Sequence, residues 1–367
     1  MPVLTVVTEQ MLAAVPGGTG RYTAQITAAL AAAPPAGWTV RSVTAWHRDL
    51  SPARVPGVAG PARLPAGRRV LHELWRRGLP PRVRGDRVHA CTPLAPARSA
   101  GLVVTVHDAV PWTHPETLTP RGVGWHREII ARSVRHARAL VVPSEAVADD
   151  LAGIFPQAAD RLVVIPHGVS ALPVPPDAAD RRRRLALPAG GYLLTVATRE
   201  PRKGLDVLLA ALGALDTGAA GAAVPLVVVG QAGWGGVDVR AEAARAGVPA
   251  AALHLLGRVD DADLAAVLDG ATALVAPSRS EGFGLPVLEA FAAGVPVISS
   301  DAPALVEVAG GAAVIVRRED PAALAGAIEA LLADPERQAA MAARGRERAA
   351  GYSWAAAAEA LWAVHLG

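Results

Sequence analysis

Lysine is almost absent from this 367-residue chain: Lys203 is its one lysine, although lysine and arginine together number 36. Cysteine is equally scarce, and the single Cys91 excludes an intrachain disulfide bond and indicates a reducing compartment. Aromatic residues make up only 4% of the sequence, so any core must consist mainly of aliphatic side chains. The retention of one ammonium group among so many guanidinium groups raises the question of what Lys203 does.

An excess of one charge sign is also missing. The 36 basic residues face 33 acidic ones, and a net charge of +3 is too small to indicate nucleic acid as a partner. No apolar run reaches the roughly 18 residues of a membrane span. The segment MPVLTVVTEQ lacks a basic stretch ahead of its apolar run, which favours a first strand over a signal peptide. These features predict a cytoplasmic protein.

Short, continuous apolar runs recur along the whole chain, with Ala-rich helical segments between them. The runs include VLTVV, LVVTV and ALVVP in the first half, and GYLLTVA, PLVVVG and ATALVAP in the second. Continuous runs are typical of strands buried on both faces of a parallel sheet. The repeated alternation predicts an α/β protein with two Rossmann-like domains facing across a cleft.

A proline-rich segment with four consecutive arginines separates the two halves. We predict four parts from it: an N-terminal Rossmann-like domain at 1–172, a linker at 173–188, a C-terminal Rossmann-like domain at 189–350, and a final helix at 351–367 that returns to the N-terminal domain. The arginines, Arg181–Arg184, are expected on a solvated helix face, and a patch that binds phosphate or a membrane is the alternative.

Ligands of such sheets bind beyond the carboxyl ends of the strands, so the residues there are candidates for chemistry. In GGTGRYTAQITAAL, glycines such as Gly18 would let an anion approach a helix N-terminus, although an ordinary strand–helix turn explains the same pattern. GLVVTVHDAVPW ends with His107, a candidate catalytic group, and Asp108, which would orient His107 or cap the next turn. RLVVIPHGVS places His167 and Gly168 beside the linker, where a structural role is expected.

The stretch SRSEGFGLPVLEAFAAGVPVIS is the most informative one. Its loop supplies Gly282 and Gly284 at the start of a helix predicted near Leu285, which is a suitable place for a phosphate. Glu281 lies in the loop and Glu289 on the helix, and ionised carboxylates suit hydroxyl-rich partners such as a ribose or a hexose.

Lys203 follows a strand in LLTVATREPRKG. Lysine is a compact and mobile point charge, unlike planar arginine, so it could follow a diphosphate as charge builds up on the leaving oxygen. The alternative is that Lys203 persists at the surface by chance.

Together these segments resemble the family-4 retaining glycosyltransferases of GT-B fold, the group 1 glycosyltransferases. EPRKG and EGFGLPVLEA carry the specific part, and the second matches the E-x7-E motif with Glu281 and Glu289. GGTGRY, TVHD, VIPHGV and the closing YSWAAAAEALWAVHL support the resemblance, and T-x-EPRK resembles the mannosyltransferase-like branch. The resemblance implies transfer of a hexose, with mannose favoured, from a nucleoside diphosphate sugar to an acceptor hydroxyl.

The resemblance also implies roles for individual residues. Catalytic residues would be His107, Lys203 and Glu281; the donor would contact Gly18, Arg199, Arg202, Lys203, Glu281, Gly282, Phe283, Gly284, Leu285 and Glu289; and Tyr22 and Asp108 would lie on the acceptor side. Within that set, Glu289 would hold the ribose hydroxyls and Lys203 the diphosphate. Many members carry an arginine at the place that here is nearest Thr198, so Arg199 or Arg202 would have to supply that charge.

No cofactor is expected beyond the donor, for which GDP-mannose is favoured and a UDP-sugar is next. No metal is expected either, because cationic side chains can stabilise the leaving diphosphate. The D-x-D pattern within Asp260–Asp263 is interpreted as the capped N-terminus of a helix. The acceptor would be a glycan, a lipid-linked molecule or a small molecule.

One basic segment, 68–87, has an apolar helical stripe of Val70, Leu71, Leu74 and Trp75. We interpret it as a packed helix with a basic outer face. The alternative is a peripheral contact with an anionic membrane at its inner face, which would admit a lipid-linked acceptor.

Other functions with the same fold remain open. A sugar-nucleotide epimerase would turn over the donor without an acceptor, and a phosphorylase would need Lys203 for a cofactor. A non-catalytic partner subunit would bind the donor only, and the displaced arginine near Thr198 is the feature that favours it.

Overall fold

A computed structural model describes residues 1–96, 99–215 and 223–367 of the chain. The chain divides into two compact units. The first unit comprises Met1–Pro115, Pro120–Gly168 and Ser353–Gly367. The second unit comprises Glu116–Thr119 and Val169–Tyr352.

Seven parallel strands form the sheet of the first unit within the described residues, in the order β3-β2-β1-β4-β5-β6-β7. The strands are β1 Val3–Val7, β2 Thr39–Trp46, β3 Ala59–Gly67, β4 Arg87–Ala90, β5 Leu102–Thr105, β6 Ala139–Val142 and β7 Leu162–Val164. The helices between them are α1 Gly17–Ala32, α2 Arg68–Arg76, α3 Val110–Thr113, α4 Pro120–His136 and α5 Glu145–Ile154. The strand order reverses between β1 and β4, which is where a doubly wound sheet offers a binding crevice.

The second unit repeats this design with six parallel strands among the described residues, in the order β10-β9-β8-β11-β12-β13. These strands are β8 Tyr192–Val196, β9 Leu226–Val229, β10 Leu253–Gly257, β11 Ala271–Ala276, β12 Val297–Ser300 and β13 Val314–Val316. Its helices are α6 Ala178–Arg184, α7 Leu205–Ala214, α8 Val239–Arg245, α9 Asp261–Asp269, α10 Leu285–Ala293, α11 Pro303–Ala309, α12 Pro321–Leu332 and α13 Pro335–Ala350. Here the order reverses between β8 and β11, so the loops after these two strands lie side by side.

The last helix, α14 Trp354–Leu366, belongs to the first unit. Its Leu361 and Trp362 are buried in one core with Ile26 and Leu30 of α1. The indole nitrogen of Trp362 also donates to the Leu30 carbonyl at 3.2 Å. The helix therefore completes one face of a sheet whose strands lie far earlier in the sequence.

The prediction of parallel α/β layers in two Rossmann-like domains is confirmed. Mostly aliphatic side chains fill both faces of the inner strands: all four residues of β5, of β6 and of β9 are buried. The clean apolar runs of the sequence thus correspond to strands covered by helices on both sides.

The Asp260–Asp263 pattern is a helix start, as expected. Asp260 is the N-cap of α9, and its Oδ1 accepts from the backbone nitrogen of Asp263 at 2.7 Å. This hydrogen bond satisfies one of the free amide groups of the first turn.

The expectation of a solvated face for Arg181–Arg184 is only half correct. Arg183 and Arg184 are exposed, but Arg181 pairs with Asp263 at 2.7 Å and Arg182 with Asp269 at 2.5 Å. These two ion pairs join α6 to α9. Helix α6, which lies within the predicted linker, is therefore packed on the second unit.

Helix α2 is a packed helix, as interpreted, but its predicted stripe is wrong for one residue. Leu71 and Trp75 are fully buried in the core of the first unit, whereas Val70 is 57% exposed. Among the described residues, no helix is both long enough and apolar enough to cross a membrane.

Histidines buried without charge make the first unit sensitive to acid. His365 of α14 faces His89 of β4 at 5.5 Å between ring centres, and neither ring nitrogen of His365 has a hydrogen-bond partner among the described residues. Burial, together with His89, Arg87 and Arg138, holds the pKa of His365 well below its ordinary value. Burial also lowers the pKa of His89 to about 3.

We therefore expect His365→Leu to flatten the dependence of stability on pH. Below pH ~6.5 His365 becomes protonated in the unfolded chain but stays neutral in the folded chain. The free energy of unfolding therefore falls by up to about 1.4 kcal/mol for each pH unit of acidification. Calorimetric melting temperatures between pH 7 and 4 should fall less steeply in the variant than in the wild type. His254→Leu, at a partly exposed position, is the control and should fall as the wild type does. Parallel curves for wild type and His365→Leu would contradict this account.

Candidate active site

Two loops meet at the switch point of the second sheet. The lysine loop, residues 197–204, follows β8, and the glutamate loop, residues 277–284, follows β11, the neighbour of β8. Because parallel strands end at one edge of the sheet, the topology brings together side chains that are far apart in the sequence.

Lys203 and Glu281 form an ion pair across these loops. The Lys203 ammonium lies 2.5 Å from Oε1 of Glu281, and each side chain is only 13% exposed. Nη1 of Arg202 donates to Oε2 of the same carboxylate at 3.0 Å, and the Ser278 hydroxyl donates to Oε1 at 2.9 Å. Both oxygens of Glu281 are therefore engaged.

The cations keep Glu281 ionised despite its enclosure. Burial alone would raise the pKa of Glu281, but the charges of Lys203 and Arg202 outweigh burial and lower it to about 2. An ionised carboxylate of this kind accepts hydrogen bonds and donates none.

A second carboxylate, Glu200, balances the cluster. Its side chain is 2% exposed and accepts from Nη2 of Arg202 at 2.7 Å and from Nε at 3.1 Å. Burial raises the pKa of Glu200, and Arg202 and Lys203 oppose that rise. Two cations and two anions thus share one partly enclosed site, and the guanidinium group of Arg202 bridges both carboxylates.

Backbone contacts fix the two loops against each other. Arg202 also donates from Nη1 to the Ser280 carbonyl at 2.9 Å, and its own carbonyl accepts from the Arg279 amide at 2.8 Å. Gly204 has φ +64°, and a Cβ there would collide with the Pro277 carbonyl. Glycine at 204 is therefore required both by its conformation and by the close approach of the loops.

Helix α10 begins where the sequence predicts, at Leu285. Gly284, in the left-handed region at φ +115°, is its N-cap, and Pro286 lies in the first turn. Phe283 is buried with its ring edge-on to Tyr352, at 5.8 Å between centres. Glu289 lies on the same helix and is only 8% exposed.

The structure separates the two arginines proposed for the missing charge. Arg202 belongs to the Lys203–Glu281 cluster. Arg199 instead continues the sheet through its backbone, which pairs with Gln231 and Gly233 at 3.0 and 3.1 Å. Arg202 thus supplies a second cation beside Lys203, and a donor contact of the Arg199 side chain stays a prediction.

His107 follows β5 in the first unit. Its Nε2 lies 2.8 Å from the Cys91 carbonyl, which can only accept, so Nε2 carries the proton and Nδ1 is an acceptor in the neutral ring. Burial lowers the pKa of His107, and the Cys91 carbonyl and Asp108 oppose that shift. The residue is thus arranged as a neutral imidazole with a defined tautomer.

Aromatic rings support His107 within the first unit. Tyr22 contacts it edge to face at 4.8 Å, and His167 lies 5.5 Å away. The hydroxyl of Tyr22 is buried against that of Thr105 at 2.9 Å, and Trp354 of α14 stacks on His167 at 6.1 Å. Tyr22 therefore packs behind His107, and its contribution to an acceptor site stays a prediction.

The other predicted residues of the first unit have separate positions. Gly18 lies exposed in the first turn of α1. Asp108 caps the following turn, since its Oδ1 accepts from the Val110 amide at 3.2 Å.

Within the residues that the structure describes, no cluster of three histidine, cysteine or acidic side chains is arranged to hold a metal ion.

Sequence reasoning missed several members of the site. These are Glu200 of the lysine loop and Ser278 and Arg279 of the glutamate loop. All three lie within sequence segments that were analysed above, but their roles depend on contacts between the two loops. Glu200 had a local signal, because an acidic residue two positions before an arginine can pair with it. The Cys91 carbonyl had none, since any residue could supply it.

Two family models match the chain. The model described as "Glycosyl transferases group 1" matches residues 178–348, and that described as "Glycosyltransferase Family 4" matches residues 16–171. Together they span both units.

Relatives with assigned activities are similar over most of the chain. An O-antigen chain mannosyltransferase B of Escherichia coli is 31% identical over 262 residues, covering 71% of this chain and 68% of the relative. A D-inositol 3-phosphate glycosyltransferase 1 of Catenulispora acidiphila is 31% identical over 352 residues, covering 90% and 81%. Among solved structures, Anabaena Alr3699/HepE in complex with UDP-glucose superposes with a TM-score of 0.75 at 18% identity, covering 100% of this chain and 99% of its own. At that identity the likeness shows the fold.

The shared use of Glu281 by two cations predicts that anions compete with this carboxylate. In Glu281→Gln, Lys203 and Arg202 lose the negative charge of the side chain that both contact, so we expect pyrophosphate to bind roughly tenfold more tightly than to the wild type. Isothermal titration calorimetry measures the affinity. Glu336→Gln, an exposed acid on the same unit, is the control and should leave the affinity unchanged. Equal or weaker binding by Glu281→Gln would show that the carboxylate does not compete with the anion.

Proposed function

Because the chain belongs to the group 1, family-4 glycosyltransferases of GT-B fold, we propose that it moves a hexose from a nucleoside diphosphate sugar to an acceptor hydroxyl with retention of configuration. Mannose is the favoured sugar. GDP-mannose is the favoured donor and a UDP-sugar the next, and no metal ion takes part.

The cluster of Lys203, Arg202 and Glu281 carries this proposal. It combines two cations with an ionised carboxylate at the switch point of a Rossmann-like sheet, beside the N-terminus of α10. Such a site suits a diphosphate, which needs positive charge and amide donors, next to a sugar, which needs a hydroxyl acceptor.

In this proposal Lys203 and Arg202 bind the diphosphate and stabilise it as it leaves. Glu281 and the backbone of Phe283–Leu285 contact the transferred sugar, and Glu289 holds the ribose hydroxyls. For Glu281 to accept from a sugar, the donor phosphates must take over part of the positive charge that now engages both its oxygens. Electrostatic stabilisation of the leaving group then supplies the main catalytic effect.

His107 has the complementary role on the acceptor side. Its Nε2–H is committed to the Cys91 carbonyl, so Nδ1 is the atom available to accept a proton or a hydrogen bond from a hydroxyl. We assign no carboxylate nucleophile, and the acceptor attacks the face from which the diphosphate departs. Exclusion of water would limit hydrolysis of the donor.

The name of one relative supports mannose as the sugar, and that of one structural neighbour supports a UDP-sugar as the second donor. The Escherichia coli relative is a mannosyltransferase by name, whereas the structurally similar Anabaena protein was solved with UDP-glucose. The sequence form T-x-EPRK supports mannose as well. The acceptor is proposed only as a glycan, a lipid-linked molecule or a small molecule.

A thermal-shift panel of GDP-, UDP- and ADP-sugars, each with and without a chelator, tests this function. We expect GDP-mannose to raise the melting temperature most, with no effect of the chelator, and the same donor to be hydrolysed slowly. Conversion of the sugar nucleotide to an epimer without acceptor would indicate an epimerase. Binding without any turnover would indicate a non-catalytic subunit, and a panel without shifts would reject the proposal.

The lone lysine yields the sharpest mutational test. Lys203→Arg keeps the charge, but its planar fork cannot follow the leaving oxygen, so we expect nucleoside diphosphate affinity within a few-fold of wild type and turnover lowered about a hundredfold or more. Lys203→Met should lose both affinity and turnover. Calorimetry and steady-state kinetics measure the two quantities.

Arg245→Lys provides the matched control, since it makes the reverse exchange at an exposed position of α8. It should preserve affinity and turnover. Near-wild-type turnover by Lys203→Arg would mean that the lysine is an accident of composition.

A further inference from the structure

Arg279 is an arginine beside the candidate site whose guanidinium group bonds to other residues of the protein. Four hydrogen bonds within the protein occupy its guanidinium group. Nη1 donates to the Pro201 carbonyl at 2.7 Å and to Oδ1 of Asp206 at 2.9 Å, Nη2 donates to Oδ2 of Asp206 at 2.6 Å, and Nε donates to Glu319 at 2.8 Å. With four of its five N–H groups engaged in this way, Arg279 is not arranged to bind a phosphate.

The partners of Arg279 lie on both sides of Lys203. Pro201 precedes Lys203 by two positions, and Asp206 follows it by three, in the first turn of α7. The Arg279 amide adds a bond to the Arg202 carbonyl at 2.8 Å. One residue of the glutamate loop therefore contacts the turn that presents the ammonium group, at Pro201 and Arg202, and the start of α7 just after it.

Arg279 is itself firmly anchored. Its side chain is 20% exposed, and the bidentate bond to Asp206 raises its pKa further above the ordinary value, so it stays charged. Its carbonyl accepts from Nη1 of Arg318 at 3.1 Å, and Arg318 is paired with Asp301 at 2.8 Å. The hydrogen bonds that hold Arg279 thus extend to residues just after β12 and β13.

We propose that Arg279 is a positioning residue, which fixes the turn Pro201–Gly204 so that the Lys203 ammonium is held at the donor diphosphate. The inference rests on the proposed function for the diphosphate, but its structural part, the fixing of Lys203, can be measured without any donor. The turn from which the Lys203 side chain reaches the diphosphate has to be held within about half an ångström, and a short turn cannot provide this alone.

The single lysine supplies a direct probe. Protein made with lysine labelled with ¹³C at Cε gives one side-chain signal, from Lys203. In the wild type we expect two separate Hε shifts, because the methylene group is fixed. In Arg279→Met we expect them to merge and move towards the position of lysine in an unfolded peptide, and an unchanged signal would overturn the inference. Glu319→Gln removes the negative charge beside Nε but keeps the bonds to Pro201 and Asp206, so it is the matched control and should retain the wild-type signal.

A double-mutant cycle then tests the route of the effect. Arg279→Met should weaken nucleoside diphosphate binding roughly tenfold in the wild type and less than about twofold in Lys203→Met, because Arg279 acts through Lys203. Equal losses in both backgrounds would overturn the inference. A changed lysine signal with unchanged affinity would uphold the positioning of Lys203 and reject its proposed role towards the donor. Melting curves establish that each variant folds. If Arg279→Met does not fold, Arg279→Gln replaces it in both experiments.

Discussion

The shared carboxylate of Glu281 is the interaction on which the site depends. Lys203 and Arg202 are neighbours in a short turn, and two cations at such a distance repel each other unless an anion lies between or beside them. Glu281 pairs with both cations, and Glu200 pairs with Nη2 of Arg202. The pair of carboxylates therefore allows two cations to be enclosed together at the edge of the second sheet.

The sheet topology makes this arrangement possible. Strands β8 and β11 are neighbours at the point where the strand order reverses, so the loops after them meet although 78 positions separate Lys203 from Glu281. Glycine at 204 and the Arg279 bonds then decide how closely the loops approach. The chemistry of the site is thus a consequence of connectivity first and of side-chain type second.

Much of this fold could be predicted because each local signal was redundant. Apolar runs such as those of β5 and β9 were continuous, which is typical of strands covered on both faces, and the start of α10 was marked by Gly284 and Pro286 together. The long-range partners could not be predicted in the same way. Nothing near Arg279 distinguishes it from a surface arginine, and the tautomer of His107 depends on the carbonyl of Cys91, a group common to every residue. Val70 continues the apolar stripe of α2 but faces solvent. The spacing of apolar residues predicts which side of a helix is buried, but it does not predict how wide the buried face is.

Helix α14 has a consequence for the order in which the molecule can be made. Leu361 and Trp362 belong to the core of the first unit, yet the ribosome reaches them only after the whole of Val169–Tyr352. Domains generally fold during synthesis with the N-terminal one first. Here α1 alone covers part of one apolar face of the first sheet until the second unit has been translated, so the unit that begins first is completed last.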